Sequence, residues 1–170
     1  MTALWTPPRT WTVGELVTAG ILNTHLRDNL EFLKGQIDLP LNFVSAVSAA
    51  DYSTAVTAYG DVDAAVLKLT LTTSGGAVLL GLSSHVRHSA VMGETRLDWN
   101  IDGTRIGEVT YGTCFAQASA ANTHTPVTHV LVRALSAGTH IIKLQFASSG
   151  GTATLGGIAG GTNLWALELV

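Results

Sequence analysis

Two hydrophobic periods divide the chain. Between Thr18 and Lys34, leucines at 22, 26, 30 and 33 recur at spacings of three and four, the period of a helix with one apolar face. Thr18 can cap its start, and Lys34-Gly35 supplies a cation and a C-cap glycine at its end. Leu26, Leu30, Leu33 and Ile37 continue as a short a/d-like stripe. From Leu39 onward the period becomes two. Leu67, Leu69 and Leu71 alternate with Lys68, Thr70 and Thr72, and Leu97, Trp99 and Ile101 with Arg96, Asp98 and Asn100, which predicts half-buried strands. Asp102-Gly103 predicts a tight turn into a strand over 105–111. Further Thr-rich apolar runs at 43–47, 55–59, 77–86, 127–135, 140–146, 152–158 and 164–170 bring the expectation to about eight to ten strands. Glycine pairs at 75–76, 150–151, 156–157 and 160–161 punctuate them. The expected fold is mainly β: an N-terminal extended arm and one short α-helix over residues 1–38, then an antiparallel β-sandwich or jelly roll over 39–170.

The arm adds a different signal. Pro7 and Pro8 fix φ and push the residue before them out of the helical region, so Trp5 to Trp11 reads as extended chain. Trp99 and Trp165 alternate with aliphatic residues and read as core or interface. Trp5 and Trp11 stand outside the sandwich, where insertion into a partner competes with folding back. The helix stripe Leu22, Leu26, Leu30 and Leu33 can lie on its own domain, on copies of itself or on another protein. Among the polar helix residues Asn23, His25, Arg27, Asp28 and Asn29, the consecutive Arg27 and Asp28 are expected to point in different directions. As a solvated polar face, Arg27 and Asn29 would simply meet water.

Composition narrows the function classes. The 170 residues carry only 12% charged side chains against 46% apolar ones, which excludes a disordered or polyelectrolyte chain. Nine Lys and Arg stand against twelve Asp and Glu, a formal charge of -3, and the basic residues are scattered singly; no nucleic-acid partner is expected. Mean hydropathy is +0.33, yet the longest strongly apolar run, residues 77–82, falls far short of the ~20 a spanning helix needs, so no membrane insertion is expected. The start lacks the pattern of a secretory signal. Low charge with abundant Gly and Thr suits a chain that hides part of its outside in an oligomer or particle.

Catalytic signatures do not emerge. There is no phosphate loop, no Gly-x-Ser-x-Gly elbow and no His-Glu-x-x-His helix, and the Gly-rich run 150–161 lacks dinucleotide spacing and reads as turns and bulges. His85 and His88, three apart in a strand, face opposite sides and cannot share an ion without a bulge. His124, His129 and His140 can converge only through the fold or across a symmetry axis. Asp61 with Asp63 and Asp98 with Asp102 flank turns, where Asp belongs for backbone reasons. Cys114, the sole cysteine, has no cation nearby in sequence and reads as inert. The chain is expected not to be an enzyme and to need no cofactor or metal.

Residues 11–33, with Trp11, Gly14-Glu15, Val17-Thr-Ala19, Leu22-Asn23 and Leu26-Arg-Asp-Asn-Leu30, resemble a segment near the start of virion structural proteins of tailed bacteriophages. There the segment precedes varied β-rich domains in tail, fibre or head-surface proteins, which implies an attachment element. The same Asn and Arg-Asp-Asn positions recur there, which implies fixed hydrogen-bonding partners for Arg27 and Asn29, either the Gly14-Glu15 turn or a neighbouring chain. Leu135-Ser-Ala-Gly-Thr-His-Ile-Ile-Lys-Leu-Gln-Phe146, the following Gly-Gly-Thr-Ala and the closing Leu164-Trp-Ala-Leu-Glu-Leu169 look like the last strands of a trimeric jelly roll of the C1q/TNF type. These resemblances imply a homotrimeric virion subunit, displayed as tail or head fibre or capsid decoration and assembled in the bacterial cytoplasm. The implied partners are other virion proteins, and the implied assembly surface is Trp5, Trp11, Leu22, Leu26, Arg27, Asn29, Leu30 and Leu33. The alternative is a receptor- or carbohydrate-binding module that meets a host-surface glycan through the loops at 122–124 or 90–94.

Overall fold

A computed structural model describes residues 4–37, 42–156 and 161–169. The chain forms two compact units, Met1–Pro40 and Leu41–Val170. The boundary expected between residues 38 and 39 falls in a segment outside the described residues, as do Gly157, Ile158, Gly160 and Val170.

In the first unit the helix runs over 19–37 as α1 (Ala19–Leu22), a π-helical turn (Asn23–Arg27) and α2 (Asp28–Ile37). Thr18 caps it as expected, its Oγ1 accepting from the Ile21 amide at 3.3 Å. Gly35 does not end it. A helix interior tolerates one glycine at about 1 kcal/mol, and here the chain continues to Ile37. The π turn takes up one extra residue. In a regular helix Leu22 and Leu30, eight apart, would diverge by about 80°; with the extra residue absorbed they fall on one line.

The second unit is built from β1 (Phe43–Ser48), β2 (Tyr52–Thr54), β3 (Gly60–Asp61), β4 (Lys68–Thr73), β5 (Gly76–His88), β6 (Glu94–Ile101), β7 (Thr104–Arg105), β8 (Cys114–Gln117), β9 (Thr125–Leu135), β10 (Gly138–Ser148), β11 (Ala153–Leu155) and β12 (Thr162–Leu169). All their pairings are antiparallel. One sheet runs β1-β12-β5-β9, with β2 and β11 extending β1 and β12 end to end. The other runs β4-β10-β6-β8, with β3 sharing the β4 edge of β10 and β7 the β8 edge of β6. Numbering only the eight principal strands along the chain, the sheets read 1-8-3-6 and 2-7-4-5, which is a jelly roll. Between them lies one core: Leu69 and Leu71, Val78, Leu80 and Leu82, Leu97 and Trp99, Ile142 and Leu144, and Leu164, all nearly or fully inaccessible.

Alternation located β1, β4, β5, β6, β9, β10 and β12, and three expectations change. Residues 55–59 form no strand; the short β2 and β3 stand on either side. Of the expected run at 152–158, β11 takes 153–155, and residues 157 and 158 lie outside the described residues. At 102–103 the expected turn is present, with φ of 52° at Asp102 and 87° at Gly103, but β7 stops at Arg105. The chain is diverted because Gly107 donates its amide to buried Asp98 at 2.9 Å, an approach at which a Cβ would lie 2.5 Å from the same carboxylate oxygen. The pairing with β6 is completed by β8, which the sequence pattern did not mark.

Candidate interaction surfaces

Every implied assembly residue belongs to the first unit, where the arm folds back along the helix. Thr6 donates its amide to Asn29 Oδ1, and Asn29 Nδ2 donates to the Thr6 carbonyl, both at 2.9 Å. Trp5 tilts against Phe32 with centroids 5.9 Å apart, and Trp11 meets His25 edge-on at 6.4 Å. Arg9 lies 4.9 Å over the Trp11 ring and pairs with Glu15, whose other carboxylate oxygen accepts from the Thr12 amide. The arm therefore covers His25, Asn29 and Phe32, one helix stripe at i, i+4 and i+7.

The leucines at 22, 26, 30 and 33 form the neighbouring stripe, one residue out of phase, and stay uncovered at 41–64% exposure. Trp5 and Trp11 each keep 43% of their surface. Among the implied polar residues only Asn29 is buried and doubly bonded, and its partner is the arm at Thr6 rather than the Gly14-Glu15 turn. Arg27 and Asp28 do not diverge. Arg27 donates to Asp28 Oδ1 through Nε at 2.9 Å and through an Nη at 2.8 Å, in an exposed pair whose benefit water largely cancels.

The second unit presents a surface that sequence reading did not assemble. Pairing register puts partners on the same face of a sheet. On the outer face of the first sheet one row is Phe43, Leu167, Leu79 and Val132, and the next is Ser45, Trp165, Gly81 and Val130. Leu169, Ala77 and Ala134 extend it at one end. β1, β9 and β12 place no charged residue on this face, and β5 only Arg87 near its far end. Phe43, Val130 and Val132 remain 50–58% exposed. Trp165 lies across Gly81, where an added Cβ would come within 2.0 Å of its ring. The inward positions of the same strands hold the core, so over these rows both faces of the sheet are apolar; the next outer row, Val47, Asn163, Ser83 and Thr128, is uncharged but mostly polar.

Charged groups are spent on structure. Asp98, wholly buried, accepts from Arg105 Nε at 2.7 Å, so it holds a loop together rather than serving a turn. Asp61 accepts from Lys143 and Gln145, and Asp63 from the Ala65 and Val66 amides; both carboxyls sit below their usual range, Asp61 against the opposing pull of its partial burial. His88 is buried, with Nε2 2.9 Å from Ser148 Oγ. Burial lowers His129. It pushes the Cys114 thiol up to about 11, which leaves it protonated and unreactive at neutral pH. Among the described residues no three His, Cys, Asp or Glu side chains gather as metal ligands, and no helix is long and apolar enough to cross a membrane. Around the loops expected at 90–94 and 122–124, the Met92 amide donates to the Ala118 carbonyl at 2.8 Å, the Ala118 amide to the Gly93 carbonyl at 2.9 Å and the Asn122 amide to the His88 carbonyl at 2.7 Å.

No family model matches the chain, and neither does any curated protein. Among solved structures the chain is similar to the Eiger TNF of S. frugiperda, at 10% identity and a TM-score of 0.47 over 77% of this chain and 94% of that one. It is similar to murine APRIL at 16% identity and a TM-score of 0.48, over 76% and 100%. It is also similar to a chain of infectious bursal disease virus, Gt strain, at 16% and 0.36, over 76% and 36%. The jelly-roll assignment stands on the strand order and register of this chain.

Proposed function

We propose that the protein is a non-enzymatic structural subunit of a tailed-bacteriophage virion, a homotrimer displayed on the particle and attached through its N-terminal unit. The observation that carries the reading is the uncharged apolar outer face across β1, β12, β5 and β9. A chain this poor in charge would be badly served in water by a sheet with two apolar faces unless copies of itself cover one of them. Threefold closure follows the resemblance of the closing strands to trimeric jelly rolls, and closure removes the edge that open-ended stacking would leave. Attachment follows the phage-like segment at 11–33 and the uncovered leucine stripe. Burying a few leucines and a tryptophan at ~1.5–3 kcal/mol each exceeds the cost of fixing an arm already folded onto its helix.

The test has two measurements on separate parts of the reading. Light-scattering mass of the full chain at micromolar concentration is expected at three times 17.7 kDa, and a monomer would remove the trimer. Deletion of residues 1–35 is expected to leave the β unit folded but absent from purified particles; stoichiometric incorporation of the truncated chain would remove the attachment role.

A further inference from the structure

The second sheet ends in a feature that neither trimerisation nor attachment uses. After β7 the chain makes a loop over 106–113 that is held from several sides. Arg105 joins buried Asp98 to the Glu108 carbonyl, which accepts from an Nη at 2.9 Å. The Glu108 carboxylate accepts the Thr110 and Tyr111 amides at 2.8 and 2.7 Å, and Glu108 and Gly112 exchange backbone bonds at 3.0 Å. Tyr59, stacked under the Arg105 guanidinium at 3.7 Å, donates to the Thr110 carbonyl at 3.1 Å. Rigid loops of this kind hide their apolar side chains when they serve only the core, and this one displays them. Val109 is 81% exposed and Tyr111 45%, and Phe115, on the adjoining β8, is 48% exposed.

The two rings overlap in an offset, tilted stack, centroids 5.1 Å apart at 34°, and each keeps nearly half of its surface exposed. Beside it Arg96 packs over Tyr111 at 5.3 Å, and both its Nε and an Nη donate to Glu94 Oε2 at 2.8 and 2.7 Å. These bonds leave a donor capacity on the other Nη and an acceptor capacity on the second Glu94 oxygen, both beside the rings. We propose that the Tyr111–Phe115 ring pair with the Arg96–Glu94 pair at its edge is a binding subsite for a neutral pyranose. A sugar ring offers a flat face of C–H groups to an aromatic plane and neighbouring hydroxyls that each donate and accept, which is the complement of this arrangement. The ion pair carries no net charge, so it favours a neutral sugar over an acidic one. Because the platform is held in place before binding, little ordering cost offsets the contact.

The full chain is screened on an array of neutral and acidic oligosaccharides beside Tyr111→Ala, Phe115→Ala and Tyr111→Phe, with melting followed for each. The chain is expected to retain neutral glycans, each alanine variant to lose at least ~10-fold in apparent affinity without a change in melting, and Tyr111→Phe to bind as the parent does. The subsite is overturned if no neutral glycan binds, if only acidic glycans bind, or if binding survives in both alanine variants. Equal loss in Tyr111→Phe and Tyr111→Ala would assign the effect to the phenol hydroxyl and overturn stacking. None of these outcomes alters the mass or particle-incorporation results, so this subsite and the assembly reading fail separately.

Discussion

His140 shows how one residue ties two turns. It is 8% exposed, with Nδ1 2.6 Å from Asp102 Oδ2 and Nε2 2.9 Å from the Ser136 carbonyl. Both ring nitrogens face acceptors, so the arrangement calls for the doubly protonated ring. The hydrogen bond to Asp102 raises His140 above its usual value, and the same bond holds Asp102 below its own, helped by the Ile141 amide. A raised histidine contributes its stability fully below its unfolded value and loses it as pH rises through the folded one. A depressed carboxylate contributes above its unfolded value and loses it as pH falls. The pair therefore stabilises most between about pH 4 and 6.5. Thermal melts of the parent against His140→Gln are expected to differ most in that window and to converge above it. Because His129 has the opposite slope on the acid side, the difference between the two proteins isolates the His140 contribution. A gap that stays constant from pH 5 to 9 would show that His140 acts by packing alone.

At the scale of elements, what was legible followed burial. β4, β5, β6, β10 and β12 were readable because one face of each meets the core, so alternation is imposed by the core itself. β8 and the diversion after Arg105 were not, because a close approach of Gly107 to a carboxylate distant in sequence decides them, and local pattern carries no trace of that. The helix was legible from its leucines. The π turn that aligns Leu22 with Leu30 was not, since it shows only as spacings of four, four and three. The arm's course was half legible: prolines implied extension, but its anchor is the single side chain of Asn29, which supplies a backbone-like donor and acceptor to Thr6. Asn29→Ala strips both bonds and is expected to free the arm while the helix persists. At ~1–3 kcal/mol, amide exchange over residues 5–12 should quicken by about 10- to 100-fold, with little change in α2. Unaltered protection at Thr6 would mean that the Trp5–Phe32 and Trp11–His25 contacts hold the arm unaided.

For the whole molecule, the proposed trimer would let folding and assembly be separated at the uncharged sheet face. Val132 is 58% exposed within one chain, in a row with Leu79 and Leu167, so a polar substitution there removes little from the core beneath. Surface changes of this kind normally stay within about 0.5 kcal/mol. In a trimer closed through this face the same position is repeated three times around the axis. Val132→Glu would then bury a carboxylate against Leu, Trp and Val side chains with no cation on the outer face of β1, β9 or β12 to pair with it, since Arg133 alternates to the other face. The variant is expected to keep the parent's secondary structure and to dissociate into monomers, with the mass falling to a third and melting becoming independent of protein concentration. Lys at the same position should act alike, because the obstacle is desolvation rather than the sign of the charge. A Val132→Glu protein that keeps the trimeric mass would place the subunit contact elsewhere. The outer face of β1, β12, β5 and β9 would then be left to another partner.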